Sequence, residues 1–332
     1  MKFQETIGID ISKQWFDARM HLAKEEKRFD NSQAGFKRLT LWVDKRLTIP
    51  KETILFAFEH TGLYSHGLSA YLTDHRFKFI LIPALELHRS MGIVRGKEDR
   101  IDAAKIALYA YRRKDEITPY QMPAEILYQL RHLLSLRERL VRQRAGYQAS
   151  LKESKCFLTK TKDPVYFQTH ERIIRYLNKQ IGKIDLELCN TIRQDKRMND
   201  IYELITSIKG VGSQTAYFMI VLTHNFLLFS EWRKFASYAG TAPFPYQSGS
   251  SILGKTKVNH MANKKIKALL NSCAISSIQY NAEMKAYYKR RTESGKSKMS
   301  TINIIRNKLL ARIFAVVTRG TPYVDIHKYA LN

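Results

Sequence analysis

Four carboxylates carry the chemistry that this sequence suggests most directly. Asp10 interrupts the run Thr6-Ile7-Gly8-Ile9-Asp10-Ile11-Ser12-Lys13, in which Ile7, Ile9 and Ile11 alternate with Thr6, Gly8 and Asp10 at the period of a half-buried strand. A carboxylate there is costly to bury unless it is paired or holds a cation. Taken alone, it reads equally well as a strand-edge group facing water. Glu59 closes the apolar run Ile54-Leu55-Phe56-Ala57-Phe58, and Asp99 and Asp102 stand three apart at the start of a helix, hence on one face. In an open α/β sheet, central strand ends and nearby helix starts converge on one crevice. Four carboxylates meeting there would repel one another unless divalent cations lay between them, and oxygen-only ligands select Mg²⁺ or Mn²⁺. Asp99 and Asp102 by themselves would simply complement a helix N-terminus. The set of four, in this strand order, points to metal.

The elements that must position these acids read as follows. A second strand holds Phe16, Ala18, Met20 and Leu22, and a short third lies at Lys27-Arg28-Phe29-Asp30. Asn31 or Ser32 caps a helix whose face is Phe36, Leu39 and Val43. The continuous apolar run ending at Glu59 predicts a central strand covered on both sides. It is followed by a helix over 65–74 and a buried strand from Phe77 to Ile82, closed by Pro83. Ile101, Ala104, Ile106, Ala107 and Tyr111 make 99–113 an amphipathic helix. The order is that of a mixed sheet with helices on its faces.

Beyond Gln121 the pattern becomes helical. Ile126, Leu130, Leu133, Leu140, Tyr147 and Leu151 line a long helix carrying Arg131, Arg137, Arg139, Arg142 and Arg144. After a break at Thr161-Lys162-Asp163-Pro164, Ile174, Leu177, Ile181, Ile184 and Leu188 recur at the a/d spacing of a coiled coil. Such a helical hairpin either packs on itself or joins subunits, and a subunit contact is preferred because so long a stalk has little else to cover it. Ile208 to Ala216 resembles a helix-hairpin-helix turn, in which Lys209, Gly210 and Gly212 would bring backbone N–H groups to a phosphate. A glycine-containing turn between core helices accounts for the same residues. Residues 240–251 read as a rigid exposed loop with Ser248, Ser250 and Ser251, most such serines being turn formers. Lys285, Lys289, Arg290, Arg291, Lys296, Lys298, Arg306, Lys308 and Arg312 then face Glu293 alone, with Tyr287 and Tyr288 among them. A solvated face normally mixes signs, so this stretch is expected to lie along nucleic acid.

Composition bounds the partners. The 332 residues suffice for two or three domains, and 56 Lys and Arg against 30 Asp and Glu leave a formal net charge of +26. That excess favours a polyanion, since each phosphate neutralised releases a condensed counterion. No apolar run reaches the roughly 18 residues of a spanning helix, and the first residues enter a strand directly rather than a signal peptide. Cys156, Cys189 and Cys273 form no CxxC pair, which argues against a zinc ribbon or a disulfide framework and for a reducing cytoplasm.

Gly8-Ile9-Asp10-Ile11-Ser12-Lys13, Glu59-His60-Thr61-Gly62-Leu63-Tyr64 and Lys97-Glu98-Asp99-Arg100-Ile101-Asp102-Ala103 resemble the three acidic motifs of the DEDD transposases. These are insertion-sequence recombinases of the IS-one-ten type, related to the Piv-like DNA invertases. The turn at Gly210-Val211-Gly212, the segment from Phe235 to Pro243 and Gln247-Ser248-Gly249 extend the resemblance over nearly the whole chain. Departures at His60, Glu98 and Asn263-Lys264-Lys265 leave the acids and Ser248 untouched. The resemblance implies a RuvC-like (RNase H-like) catalytic domain at 1–122 and a helical coiled-coil insertion at 123–198. A mostly helical transposase domain with a catalytic serine, Ser248, would occupy 199–332. It further implies a bridge-type non-coding RNA that selects donor and target DNA, and homodimers that pair into a tetramer in synapsis. Such a protein would work in the bacterial cytoplasm, at the nucleoid, and away from membranes.

Three functions compete on these grounds. A serine recombinase would leave a covalent protein–DNA adduct, with metal at Asp10, Glu59, Asp99 and Asp102 neutralising charge on the phosphoryl oxygens. A RuvC-like nuclease or junction resolvase would cleave without one. A nucleic-acid-binding protein with merely structural acids would bind without metal.

Overall fold

A computed structural model describes residues 3–60, 62–90, 99–248 and 252–325; at Asp99 and Ser248 it describes the backbone alone. The chain divides into two compact units, Met1–Met122 and Pro123–Asn332.

In the first unit, β1 (Glu5–Ile11), β2 (Trp15–Met20) and β3 (Glu26–Asp30) form an antiparallel meander. β4 (Ile54–Glu59) and β5 (Lys78–Ile82) add parallel strands on the other side of β1, giving the order β3-β2-β1-β4-β5. Alternation assigns the two faces. Ile7, Ile9, Ile11, Phe16, Ala18, Met20, Phe56, Phe58 and Phe79 pack with α1 (Gln33–Arg46) and α2 (Leu63–Asp74). Leu55, Ala57, Ile80 and Ile82 pack on the opposite face with α3 (Ala84–Ser90) and α4 (Asp99–Arg113). The cap of α1 is Ser32, whose hydroxyl accepts from Gly35 N. The helix α3, directly after Pro83, had no signal in the apolar periodicity, since Leu87 is the one buried side chain among its described residues.

The second unit is helical apart from one hairpin. α5 (Glu125–Ser154) and α6 (Pro164–Arg193) form the expected antiparallel pair, followed by α7 (Lys196–Thr206), α8 (Ser213–Leu222) and α9 (Trp232–Tyr238). The hairpin β6 (Pro243–Ser248) and β7 (Ile252–Val258) precedes α10 (Lys264–Tyr280), α11 (Ala282–Glu293) and α12 (Lys298–Arg319). Two expectations are corrected here. The residues expected to form a loop at 243–248 are a strand, and its register shift between Phe244 and Tyr246 falls at Pro245, which has no N–H for the ladder. The seam of α6 is satisfied within the chain: Leu177, Ile181, Ile184 and Leu188 are all buried in a single copy. Ile184 and Leu188 share one apolar cluster with Leu127, Leu130 and Leu134 of α5 and with α7, α8, α10 and α12. The base of the helical pair is therefore part of the core of residues 199–332 rather than a free-standing stalk.

Candidate functional site

The end of the sheet where β1 and β4 terminate gathers the first two acids. Ile9 pairs with Phe58 in the parallel ladder, and Asp10 and Glu59 lie one step beyond. Both are partly exposed. Glu59 follows Leu55 and Ala57 on the face covered by α4, and Asp10 follows Thr6 and Gly8 on that same face. α4 lies directly on β1. Thr6 Oγ1 donates to Ala107 O at 2.9 Å, and a Cβ placed on Gly8 would stand 2.2 Å from Ala103 O and from Ala107 N. Thr6 thus meets Ala107, whereas Gly8 reaches back to Ala103, so the helix runs antiparallel to the strand. Its first turn, with Asp99 and Asp102, starts at the Asp10 end. The glycine of the first motif is what lets this helix come so close.

Asp102 Oδ1 accepts from Lys105 Nζ at 3.0 Å, an i,i+3 pair on the helix surface. The Asp99 side chain, and residues 91–98 with Lys97 and Glu98, lie outside the described residues. Among the described residues, no three His, Cys, Asp or Glu side chains form a group that could hold a metal ion. A further carboxylate, Asp17, was missed in the sequence. It stands directly across from Asp10 in the hairpin register, on the same face, and is 6% exposed. Arg28 grips it in a bidentate pair, Nε to Oδ1 at 2.9 Å and Nη2 to Oδ2 at 2.7 Å. Together with Arg19, Glu26 and Ala103 this pair lines a cleft beside the α4 face. The signal was available: Phe16, Ala18 and Met20 facing one core put Asp17 on the other side of the sheet.

In the second unit, a turn at Ser207 to Gly212 joins α7 to α8. Gly212 caps α8 with extended backbone, no side-chain cap, and open space where a Cβ would stand. Gly210 packs on α10, where Ser277 Oγ donates to Lys209 O at 3.0 Å. Lys209 Nζ is paired to Asp325 Oδ2 at 2.9 Å. The basic segment divides. Lys289, Arg290, Lys296 and Lys298 are exposed, and Arg291 is half-buried. The guanidinium of Arg290 and the ammonium of Lys308 lie 5.6 and 4.5 Å from the Tyr287 ring centroid. Arg306 is corrected. At 7% exposure it is no surface group; it donates to Asn303 Oδ1 at 3.4 Å and to Asn271 Oδ1, and burial lowers its pKa. Arg312 likewise turns inward, to Glu283 Oε1 and Oε2 at 2.7 and 2.6 Å. Of the serines, Ser248 ends β6, opposite Ile252, while Ser250 and Ser251 lie outside the described residues.

Two family models match this chain: one for DEDD-type transposases of the IS110 group over residues 7–154, and one described as the transposase IS116/IS110/IS902 family over residues 202–289. The chain belongs to the IS110 family of transposases. It is 28% identical over 328 residues to the pilin gene-inverting proteins of Moraxella bovis and Moraxella lacunata, covering 96% of this chain and 97% of each of theirs. An insertion element IS110 protein of 43.6 kDa from Streptomyces coelicolor is 28% identical over 120 residues, 36% of this chain and 29% of that one. The first family match covers the strands and the helix that carry all four acids; the second runs from within α7 through α8, β6 and β7 into α11. The substrate of this transposase family is DNA, and no helix among the described residues is long and apolar enough to cross a membrane.

Proposed function

We propose that this transposase cuts and rejoins DNA through a serine–phosphodiester intermediate at Ser248, with Mg²⁺ or Mn²⁺ held by Asp10, Glu59, Asp99 and Asp102. The observation that carries the reading is the convergence of Asp10, Glu59 and the first turn of α4 on one edge of the sheet. The donor set fits the ion: the groups offered are carboxylate oxygens, the ligands that hard divalent cations prefer. When bound, the ion neutralises charge that develops on the phosphoryl oxygens. The strand order β3-β2-β1-β4-β5, antiparallel then parallel, supports reading 1–122 as a RuvC-like domain.

The chemistry balances without a consumed cofactor. Ser248 Oγ forms a bond to phosphorus as the bond from phosphorus to a sugar oxygen breaks. The hydroxyl gives up one proton and the displaced sugar oxygen takes one up. One ester replaces another, so the energy needed for rejoining is retained, which inversion or transposition requires and hydrolysis discards. Residues 123–198 serve as a coiled-coil arm whose base is built into the core of 199–332, the part bearing the serine. The exposed cations Lys289, Arg290, Lys296 and Lys298, with the turn at Lys209 to Gly212, bind nucleic acid, both DNA and a bridge-type RNA that selects it. The working assembly is a homodimer that pairs into a tetramer in the cytoplasm, at the nucleoid. The pilin gene-inverting relatives agree with a rearrangement of this kind.

The test is a denaturing gel. The protein, with any small RNA that co-purifies, is mixed with a plasmid carrying its own coding region and native flanks in Mg²⁺. A covalent adduct is expected from the native chain, and none from Ser248→Ala or Asp10→Asn, while both variants still retain the plasmid. An adduct that survives Ser248→Ala but not Ser250→Ala would move the nucleophile. Cleavage with no adduct at all would make the protein a hydrolytic nuclease.

A further inference from the structure

Of the residues of the β6–β7 hairpin whose exposure is described, Pro243, Phe244, Pro245, Gly254, Thr256 and Lys257 are exposed and Val258 is half-buried. Its orientation is therefore set at its two roots, and both are tied by polar contacts. Thr241, two residues before β6, is fully buried. Its carbonyl accepts from Asn303 Nδ2 at 2.9 Å and from Asn307 Nδ2 at 3.0 Å, and its hydroxyl donates to Asn307 Oδ1 at 2.9 Å. Asn307 is thus engaged reciprocally, as donor and acceptor, with one residue. Asn303 is steadied in turn by Arg306, whose second nitrogen reaches Asn271 on α10. At the other root, a Cβ on Gly240 (φ +66°) would meet Ala262 Cβ at 2.2 Å, and Asn263 donates through its backbone N to Tyr238 O at 3.0 Å and through Nδ2 to Tyr238 Oη at 2.9 Å.

The half-buried amides of Asn303 and Asn307 satisfy the fully buried Thr241 carbonyl, which an apolar residue at either position would leave short of a donor. What such a network supplies is direction: each bond is satisfied in one arrangement only. We infer that Asn303 and Asn307 of α12 are positioning residues that, through Thr241, aim the hairpin bearing Ser248. This rests on the serine reading above, and the readouts separate the two. Ser248 ends a strand whose described anchors to the helical core on this side, Ala242 and Thr241, are six and seven residues away. A displacement of about 1 Å there is worth on the order of a hundredfold in rate.

The experiment uses the full chain and the same plasmid. In Asn303→Ala and Asn307→Ala, the rate of adduct formation at saturating plasmid is expected to fall on the order of 10- to 100-fold, with plasmid affinity unchanged. Amide hydrogen exchange should quicken over 243–258 and stay native in α10 and α12. Thr241→Ser, which keeps the hydroxyl, is expected to retain the native rate, and Thr241→Val, of the same shape, to lose it; this pair decides the matter if either alanine variant fails to fold. Native adduct rates and native hairpin exchange in both alanine variants, or a Thr241→Val chain as fast as Thr241→Ser, would overturn the inference. If the native chain forms no adduct but the hairpin still loosens as described, the positioning stands and the serine nucleophile falls.

Discussion

Two residues without chemistry of their own decide where the acids sit. Gly8 has Ala103 O and Ala107 N where a Cβ would be, so the approach of α4 to β1 is as close as backbones allow. Gly8→Ala is expected to push that helix outward and to destabilise the first unit by about 1–3 kcal/mol, the usual cost of overpacking. A urea melt of the full chain would show it as a lower midpoint at constant slope; because the first turn of α4 moves with the helix, adduct formation should be lost as well. An unchanged midpoint would mean that the helix is not seated as described. Asp17 acts in the opposite sense. It adds a second carboxylate across from Asp10, and the bidentate pair with Arg28 offsets that charge. Removing Arg28 would leave a buried, unpaired carboxylate beside Asp10, an expensive arrangement.

At the scale of elements, the α5–α6 pair differs most from its sequence reading. An a/d seam says that a helix has an apolar partner, not whose helix that is. Here the partner is α5 of the same chain, fastened also by Arg137, which grips Asp185 at 2.6 and 3.2 Å, while Gln214 of α8 donates to that same carboxylate at 3.0 Å. Leu188, fully buried, lies where the pair joins the main core of the second unit. Leu188→Ala is expected to lower the stability of that unit by about 2–5 kcal/mol, read by chemical denaturation, with the sedimentation coefficient of the folded protein unchanged. Dissociation of an oligomer without loss of stability would return the seam to a subunit interface.

For the whole molecule, the excess of positive charge is not shared evenly. Residues 1–122 carry 21 Lys and Arg against 16 Asp and Glu; residues 123–332 carry 35 against 14. The unit with the four acids is the nearer to neutral, at +5, and the unit with the α7–α8 turn is strongly basic, at +21. Attraction to polyanions is therefore a property of the second unit. Binding of the full chain to a duplex of random sequence should fall on the order of a thousandfold between about 50 and about 200 mM salt, the dependence for six or more neutralised phosphates. Fluorescence anisotropy across a salt series measures it, and a flat response would remove the basic surface as an electrostatic footprint. Glu59→Gln, which lies in the first unit, should leave that slope intact.

By itself the sequence determined the strands and most helices of the first unit, because period-two runs such as Ile7 to Ile11 and apolar runs such as Ile54 to Phe58 specify local structure and face without outside help. It also placed Asp10 on the first strand and Glu59 at the end of the central one, and marked the polyanion-seeking charge. Tertiary structure decided the rest. Whether Arg306 faces water or Asn271, whether Lys209 is open or paired to Asp325, and that Asn303 and Asn307 grip Thr241 are all contacts between residues far apart in the chain. A basic or amide side chain on an amphipathic helix looks the same in sequence on either face of a multi-helix core, since hydropathy alone does not register a buried partner. The β6 strand escaped for a related reason: with two prolines and its described residues exposed, it is supported by pairing with β7, which no local pattern announces.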